Sequence, residues 1–92
     1  MKEKTGASLE TQSLSNGSLV AEAVAQQLEA MLSAGNYDGV KQLIGPVQPV
    51  DIAQAIGTLP MILQALAFRL LNKNEAIEVY EYLDPSVQQN LL

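Results

Sequence analysis

The stretch DIAQAIGTLP at residues 51–60 returns as EAIEVYEYLDP at residues 75–85, with one residue inserted. Each copy has apolar residues at helical spacing and ends at a proline, so the repeating unit is about 24 residues long and predicts one short helix pair. Such units cannot bury an apolar face alone and stack on their neighbours, so the repeat predicts an all-α solenoid. The matched pairs are Asp51 with Glu75, Ala55 with Val79, Leu59 with Leu83 and Pro60 with Pro85.

Outward from this repeat, the chain predicts about five to six short helices, and no segment alternates with period two as a strand would. Cap and turn residues set the expected helix ends. The predicted helices run from an N-cap at Ser18 to Gly35, from Asn36 to Gly45-Pro46, from Pro49 to Gly57, from Leu59-Pro60 to Leu71, from an N-cap at Asn74 to Leu83, and from Asp84-Pro85 onward.

The two ends of the chain differ in character. Residues 1–17 mix Ser, Thr, Gly and charge with only two leucines, a composition that predicts a mobile tail ahead of a helical domain over residues 18–92. The alternative is a short helix around Leu9 to Leu14 that lies on the domain. Because the chain ends on two apolar residues, Leu91-Leu92, we expect the helical domain to continue beyond residue 92.

Composition narrows the function. The 92 residues include no cysteine and no histidine, which excludes disulfides, thiol chemistry, His-Cys zinc sites and a histidine base, so we expect no enzyme. Ten acidic against five basic residues give a net charge of −5, which repels nucleic acid and favours a divalent cation. The apolar-rich segment at residues 59–71 is too short to cross a bilayer, so a soluble, cytoplasmic chain is expected.

A series of short motifs occurs in order along the chain: Gly35-Asn36, Pro49 with Asp51-Ile52-Ala53, Leu59-Pro60, Phe68-Arg69-Leu70-Leu71, Ala76 with Glu78-Val79, and Leu83-Asp84-Pro85. No single motif is specific, so their order and spacing carry the information. Taken together, they resemble the cytosolic N-terminal domain of MgtE-type magnesium channels and transporters over roughly residues 25–92.

The resemblance implies a right-handed superhelix of short helices, followed in the full-length protein by CBS domains and a transmembrane domain. It implies that Mg²⁺ at the interface between the N domain and the CBS domains holds the assembly compact and the pore closed. The chain would then lie on the cytoplasmic side of the cell membrane, and we expect a homodimer for the full-length protein.

The resemblance also implies one metal ligand, Glu78. Glu75, Glu78 and Glu81 follow each other at i, i+3 and i+6 on the fifth predicted helix, so their side chains share one side of it. One carboxylate cannot close a site, so the expected Mg²⁺ binding is weak and shared with a partner domain. The alternative for all three residues is a solvated acidic face.

One stretch departs from the family pattern. The family usually has charged residues after the Leu-Pro break, whereas this chain has Met61-Ile62-Leu63, which makes the fourth helix apolar almost all round. Core packing is the favoured expectation for this stretch, and contact with another domain, a second copy or the tail is the alternative. A second function also stays open: a helical interaction module like the middle domain of the flagellar rotor protein FliG, without metal chemistry.

Overall fold

A computed structural model describes residues 16–91, which form six α-helices and no strand. The helices are α1 (Asn16–Ala34), α2 (Tyr37–Ile44), α3 (Pro49–Gly57), α4 (Met61–Arg69), α5 (Lys73–Tyr82) and α6 (Pro85–Asn90). The all-α prediction is confirmed, with the expected number of helices. The right-handed superhelical path stays a prediction, and the predicted tail lies outside the described residues except for its last two positions, which belong to α1.

The junction between α1 and α2 is built by local backbone chemistry. Gly35 has a φ of 76°, the left-handed conformation that glycine adopts without steric cost. The amides of Gly35 and Asn36 donate to the carbonyl oxygens of Leu32 and Met31 at 3.1 and 2.8 Å, which is the Schellman pattern of a helix end. The Asn36 side chain then caps α2 by accepting from the Gly39 amide at 3.1 Å.

Two predicted caps are wrong. Ser18 lies inside α1, since this helix already includes Asn16. At α5 the N-cap is Asn72 and not Asn74: the Asn72 side chain accepts from the Glu75 amide at 2.8 Å, and the Glu75 carboxylate accepts from the Asn72 amide at 3.0 Å. This reciprocal capping box satisfies two free amides, which a start at Asn74 would leave without partners.

Helix α3 lies at the centre of the fold and packs against α1, α4 and α5. Helix α1 also contacts α2 and α4, and α4 contacts α6. The sequence repeat has a structural counterpart, since Ala55 and Val79 are both 0% exposed and Leu59 and Leu83 are both 5% exposed. Matched positions therefore have matched burial in the two successive helix pairs, α3–α4 and α5–α6.

Helix α4 is less buried than its composition predicts. Met61 and Ile62 are 67% and 80% exposed, so the core packing expected for them is wrong, whereas Leu63 is half-buried. Helix α4 buries Gln64 and Ala67 instead. The Gln64 amide nitrogen donates to the Leu59 carbonyl oxygen at 3.3 Å, and its side-chain oxygen accepts from the Asn90 amide at 3.4 Å. The buried amide thus joins α4 to α6 and to the turn after α3.

Candidate functional site

Helix α5 carries the three acidic residues at i, i+3 and i+6, and the structure gives them different roles. Glu75 is half-buried, and its carboxylate closes the capping box on Asn72. A carboxylate in this position also stabilises the positive end of the helix dipole. Glu75 therefore contributes to the folding of α5 and is not free to bind a cation without losing a helix cap.

Glu78 is exposed on the middle turn of α5, next to the fully buried Val79. Glu81 is also exposed and lies one turn further on. Residues three apart on a helix point about 60° from each other around the axis, so the carboxylates of Glu78 and Glu81 diverge. The position of Glu78 fits a role at an intermolecular or interdomain surface, and its assignment as a metal ligand stays a prediction.

No cluster of three or more acidic residues able to hold a metal ion occurs within residues 16–91. The donor set that α5 offers is carboxylate oxygen, the ligand type that Mg²⁺ takes in proteins. Mg²⁺ commonly retains several water molecules and takes one or two protein carboxylates. Glu78 alone therefore fits a shared site, in which the remaining ligands are water molecules and groups from a second surface.

A shallow apolar groove of about 490 Å³ lies along α5, where Glu81 lines it and Glu78 does not. Its walls are Phe68 at the end of α4 and Ala76, Ile77 and Tyr80 on α5, and Ile77 is 55% exposed. The Phe68 and Tyr80 rings meet edge to face with their centroids 6.1 Å apart, an arrangement that aromatic pairs favour. Helical periodicity did not predict this groove. Ile77 lies outside the buried apolar stripe of α5, and an isoleucine at such a position indicates an exposed apolar surface.

None of the helices formed by residues 16–91 combines the length and the apolar character that a membrane span requires. A family model described as the MgtE intracellular N domain matches residues 47–92. The matched segment begins just before α3 and includes α3, α4, α5 and α6, and so contains both helix pairs of the repeat and Glu78. No curated protein and no solved structure matches the chain.

Proposed function

The chain belongs to the MgtE intracellular N domain family, and from this membership we propose that it regulates a magnesium transporter by sensing Mg²⁺ at an interface with CBS domains. This family comprises a domain of magnesium transporters and is not a family of enzymes. The family match over α3–α6 carries the proposal, because this segment includes α5 and its exposed carboxylate, Glu78.

The mechanism rests on charge. With a net charge of −5, the chain is repelled by another acidic surface, and this repulsion weakens compact arrangements of the assembly. Glu78 would hold a Mg²⁺ ion together with ligands from a CBS domain, and the bound ion would supply positive charge that offsets that repulsion. Without the ion, the repulsion between the acidic surfaces would not be offset and the assembly would loosen, so a fall in the Mg²⁺ concentration would open the transport pathway.

Partners and location follow from the same proposal. The partners are the CBS domains and the transmembrane domain of the same full-length protein. The full-length protein is a homodimer, and this chain lies on the cytoplasmic side of the cell membrane. The exposed Ile77 side chain, one residue before Glu78 on α5, adds apolar contact area for the CBS surface. Burial of such area stabilises an interface that the ion alone holds only weakly.

The proposal is tested by Mg²⁺ titration of protease protection in the full-length protein. Glu78→Ala and the isosteric Glu78→Gln both remove the carboxylate, and Glu29→Gln, an exposed position on α1 outside the matched segment, is the control. We expect the midpoint for the Glu78 variants to rise about fivefold or more, the size of a typical coupling between sites, and the control to follow wild type.

Two results contradict the proposal in different ways. If the Mg²⁺ midpoint is unchanged in both Glu78 variants, Glu78 is not a ligand, and the acidic side of α5 is a solvated face. A wild-type protein whose protease protection does not depend on Mg²⁺ contradicts Mg²⁺ sensing itself and favours the metal-free interaction module.

A further inference from the structure

The residues Lys73, Ile77 and Glu81 lie four positions apart along α5, so their side chains form one row on its surface. All three are exposed, and all three line the apolar groove along α5. Ile77 is the middle of the row, with a positive charge four residues before it and a negative charge four residues after it. The row is about 12 Å long, and its two ends are equally far from Ile77 and opposite in charge.

The two charges of this row are placed against the stability of α5. Lys73 is the first residue of α5, and Glu81 belongs to its last turn. The helix dipole favours acidic residues at the N-terminus and basic residues at the C-terminus, which is the reverse of this order. Within α5, neither residue has an oppositely charged side chain three or four positions away that offsets this cost. The folding of α5 therefore does not explain the order of the two charges.

We propose that this row is the contact between two copies of the chain, whose α5 helices pack antiparallel about a two-fold axis at Ile77. A two-fold interface uses the same patch on both copies, so the patch has to be complementary to itself. Antiparallel pairing about Ile77 places Lys73 of each copy opposite Glu81 of the other, which forms two ion pairs. The dipoles of the two helices then run in opposite directions, and each end of one helix lies near the opposite end of the other.

The apolar part of the groove fits the same pairing. Lys73, Ala76, Ile77 and Tyr80 line the groove at i, i+3, i+4 and i+7, the spacing of four residues that form a hole for one side chain of a facing helix. Ile77 is 55% exposed, and in the antiparallel pair it enters this hole on the second copy. Glu78 does not line the groove, so no pair of like charges lies at the centre of the contact.

The pairing of two α5 helices competes with the CBS contact of the proposed function, because Ile77 of one chain cannot contact a CBS domain and a second copy at the same time. We therefore expect the pairing where the CBS contact is absent. The pairing requires no Mg²⁺, so its failure and a failure of Mg²⁺ sensing are distinguished by measuring dimerisation of the chain in the presence of EDTA.

Sedimentation equilibrium measures this dimerisation. One pair of short helices buries less than the roughly 1,200 Å² of a stable interface, so concentrations up to about 1 mM are needed. Lys73→Glu and Glu81→Lys each replace two attractive pairs with two repulsive pairs, and we expect each variant to weaken dimerisation at least about tenfold. Both changes agree with the helix dipole, so α5 should remain folded, which circular dichroism checks.

The two charge reversals should compensate each other. The double variant, and also an equal mixture of the two single variants, again places opposite charges face to face, so both should dimerise within about threefold of wild type. Lys41→Glu is the control, since it changes the net charge as Lys73→Glu does but lies at an exposed position on α2 outside the groove.

Cysteine, which the chain lacks, provides a second measurement. Ile77→Cys places a thiol of each copy near the two-fold axis, whereas Ile62→Cys, at a site 80% exposed on α4, lies outside the groove. With oxidised glutathione as the oxidant, disulfides between chains should form at least about tenfold faster in the Ile77→Cys variant, because the pairing holds its two thiols close together.

Four results overturn the proposal. The first is a wild-type chain that stays monomeric at every concentration. The second is an equal effect of Lys73→Glu and Lys41→Glu, which assigns the loss to net charge. The third is a double variant that does not regain dimerisation, which contradicts antiparallel pairing. The fourth is disulfide formation at least as fast in the Ile62→Cys variant, which places the contact outside the groove.

Discussion

Replacement of Asn72 by alanine removes the N-cap of α5, the helix that carries Glu78. The lost interaction is the hydrogen bond from the Glu75 amide to the Asn72 side chain, which is 2.8 Å long. The reciprocal bond, from the Asn72 backbone amide to the Glu75 carboxylate at 3.0 Å, uses a group that alanine also has. Only one of the two capping bonds is lost, so we expect the free energy of unfolding to fall by about 1 kcal/mol, the typical cost of an N-cap.

Asn74→Ala is the matched control, since Asn74 is also exposed but lies inside α5. Alanine has the higher helix propensity, so this change should leave stability within about 0.5 kcal/mol of wild type or raise it. In a domain of this size, 1 kcal/mol moves Tm by about 4–8 °C, which thermal unfolding followed by circular dichroism resolves. Equal shifts in the two variants, or a larger shift in Asn74→Ala, would refute the assignment of the cap to Asn72.

Two further pairs of variants test the helix end and the core. Gly35→Ala should destabilise the fold by about 1 kcal/mol, because alanine is strained at the φ of 76° that Gly35 adopts. Gly57→Ala is the control, since φ is not positive there and an added Cβ meets nothing within 4 Å, so this variant should be neutral or stabilising in urea unfolding. A similar loss of stability in both variants contradicts the left-handed conformation of Gly35. Leu28→Ala should lower the free energy of unfolding by about 2–5 kcal/mol, because Leu28 is only 1% exposed. Ile62→Ala, at a site 80% exposed, should change it by less than about 0.5 kcal/mol. Equal losses of stability measured by calorimetry contradict the burial of Leu28.

Sequence reasoning succeeded where one residue alone determines the backbone. Gly35 adopts the left-handed conformation that ends α1, and Pro49 begins α3 as the first-turn proline predicts. It failed at α5, where two asparagines stand two residues apart. The discriminating signal is the glutamate three residues after Asn72, which completes a capping box that Asn74 cannot form. A capping box is recognised from two residues, here Asn72 and Glu75, whereas the prediction considered the asparagine alone.

The error at α4 has a different cause. Composition describes how apolar a helix is but not which residues face its neighbours. In α4 the register after Pro60 turns Gln64 toward α3 and α6 and leaves Met61 and Ile62 at the surface. A buried amide is tolerated because it has hydrogen-bond partners on both sides, and those partners come from positions up to 26 residues away in the chain. Periodicity within one helix carries no information about such distant partners.

The acidic side of α5 shows the same limit at the candidate site. Glu75 and Glu78 are the same residue type one helical turn apart, and local spacing assigns them to one stripe. The structure separates them, because the Glu75 carboxylate accepts a backbone hydrogen bond within the fold whereas Glu78 is exposed. Loss of the Glu75 carboxylate is therefore expected to lower the stability of α5. Loss of the Glu78 carboxylate is expected to affect only the binding of a partner to this helix. A single exposed carboxylate supplies too few ligands for a closed metal site. If Mg²⁺ binding depends on Glu78, a second surface therefore has to supply further ligands, and Mg²⁺ binding is then coupled to the association of that surface with α5.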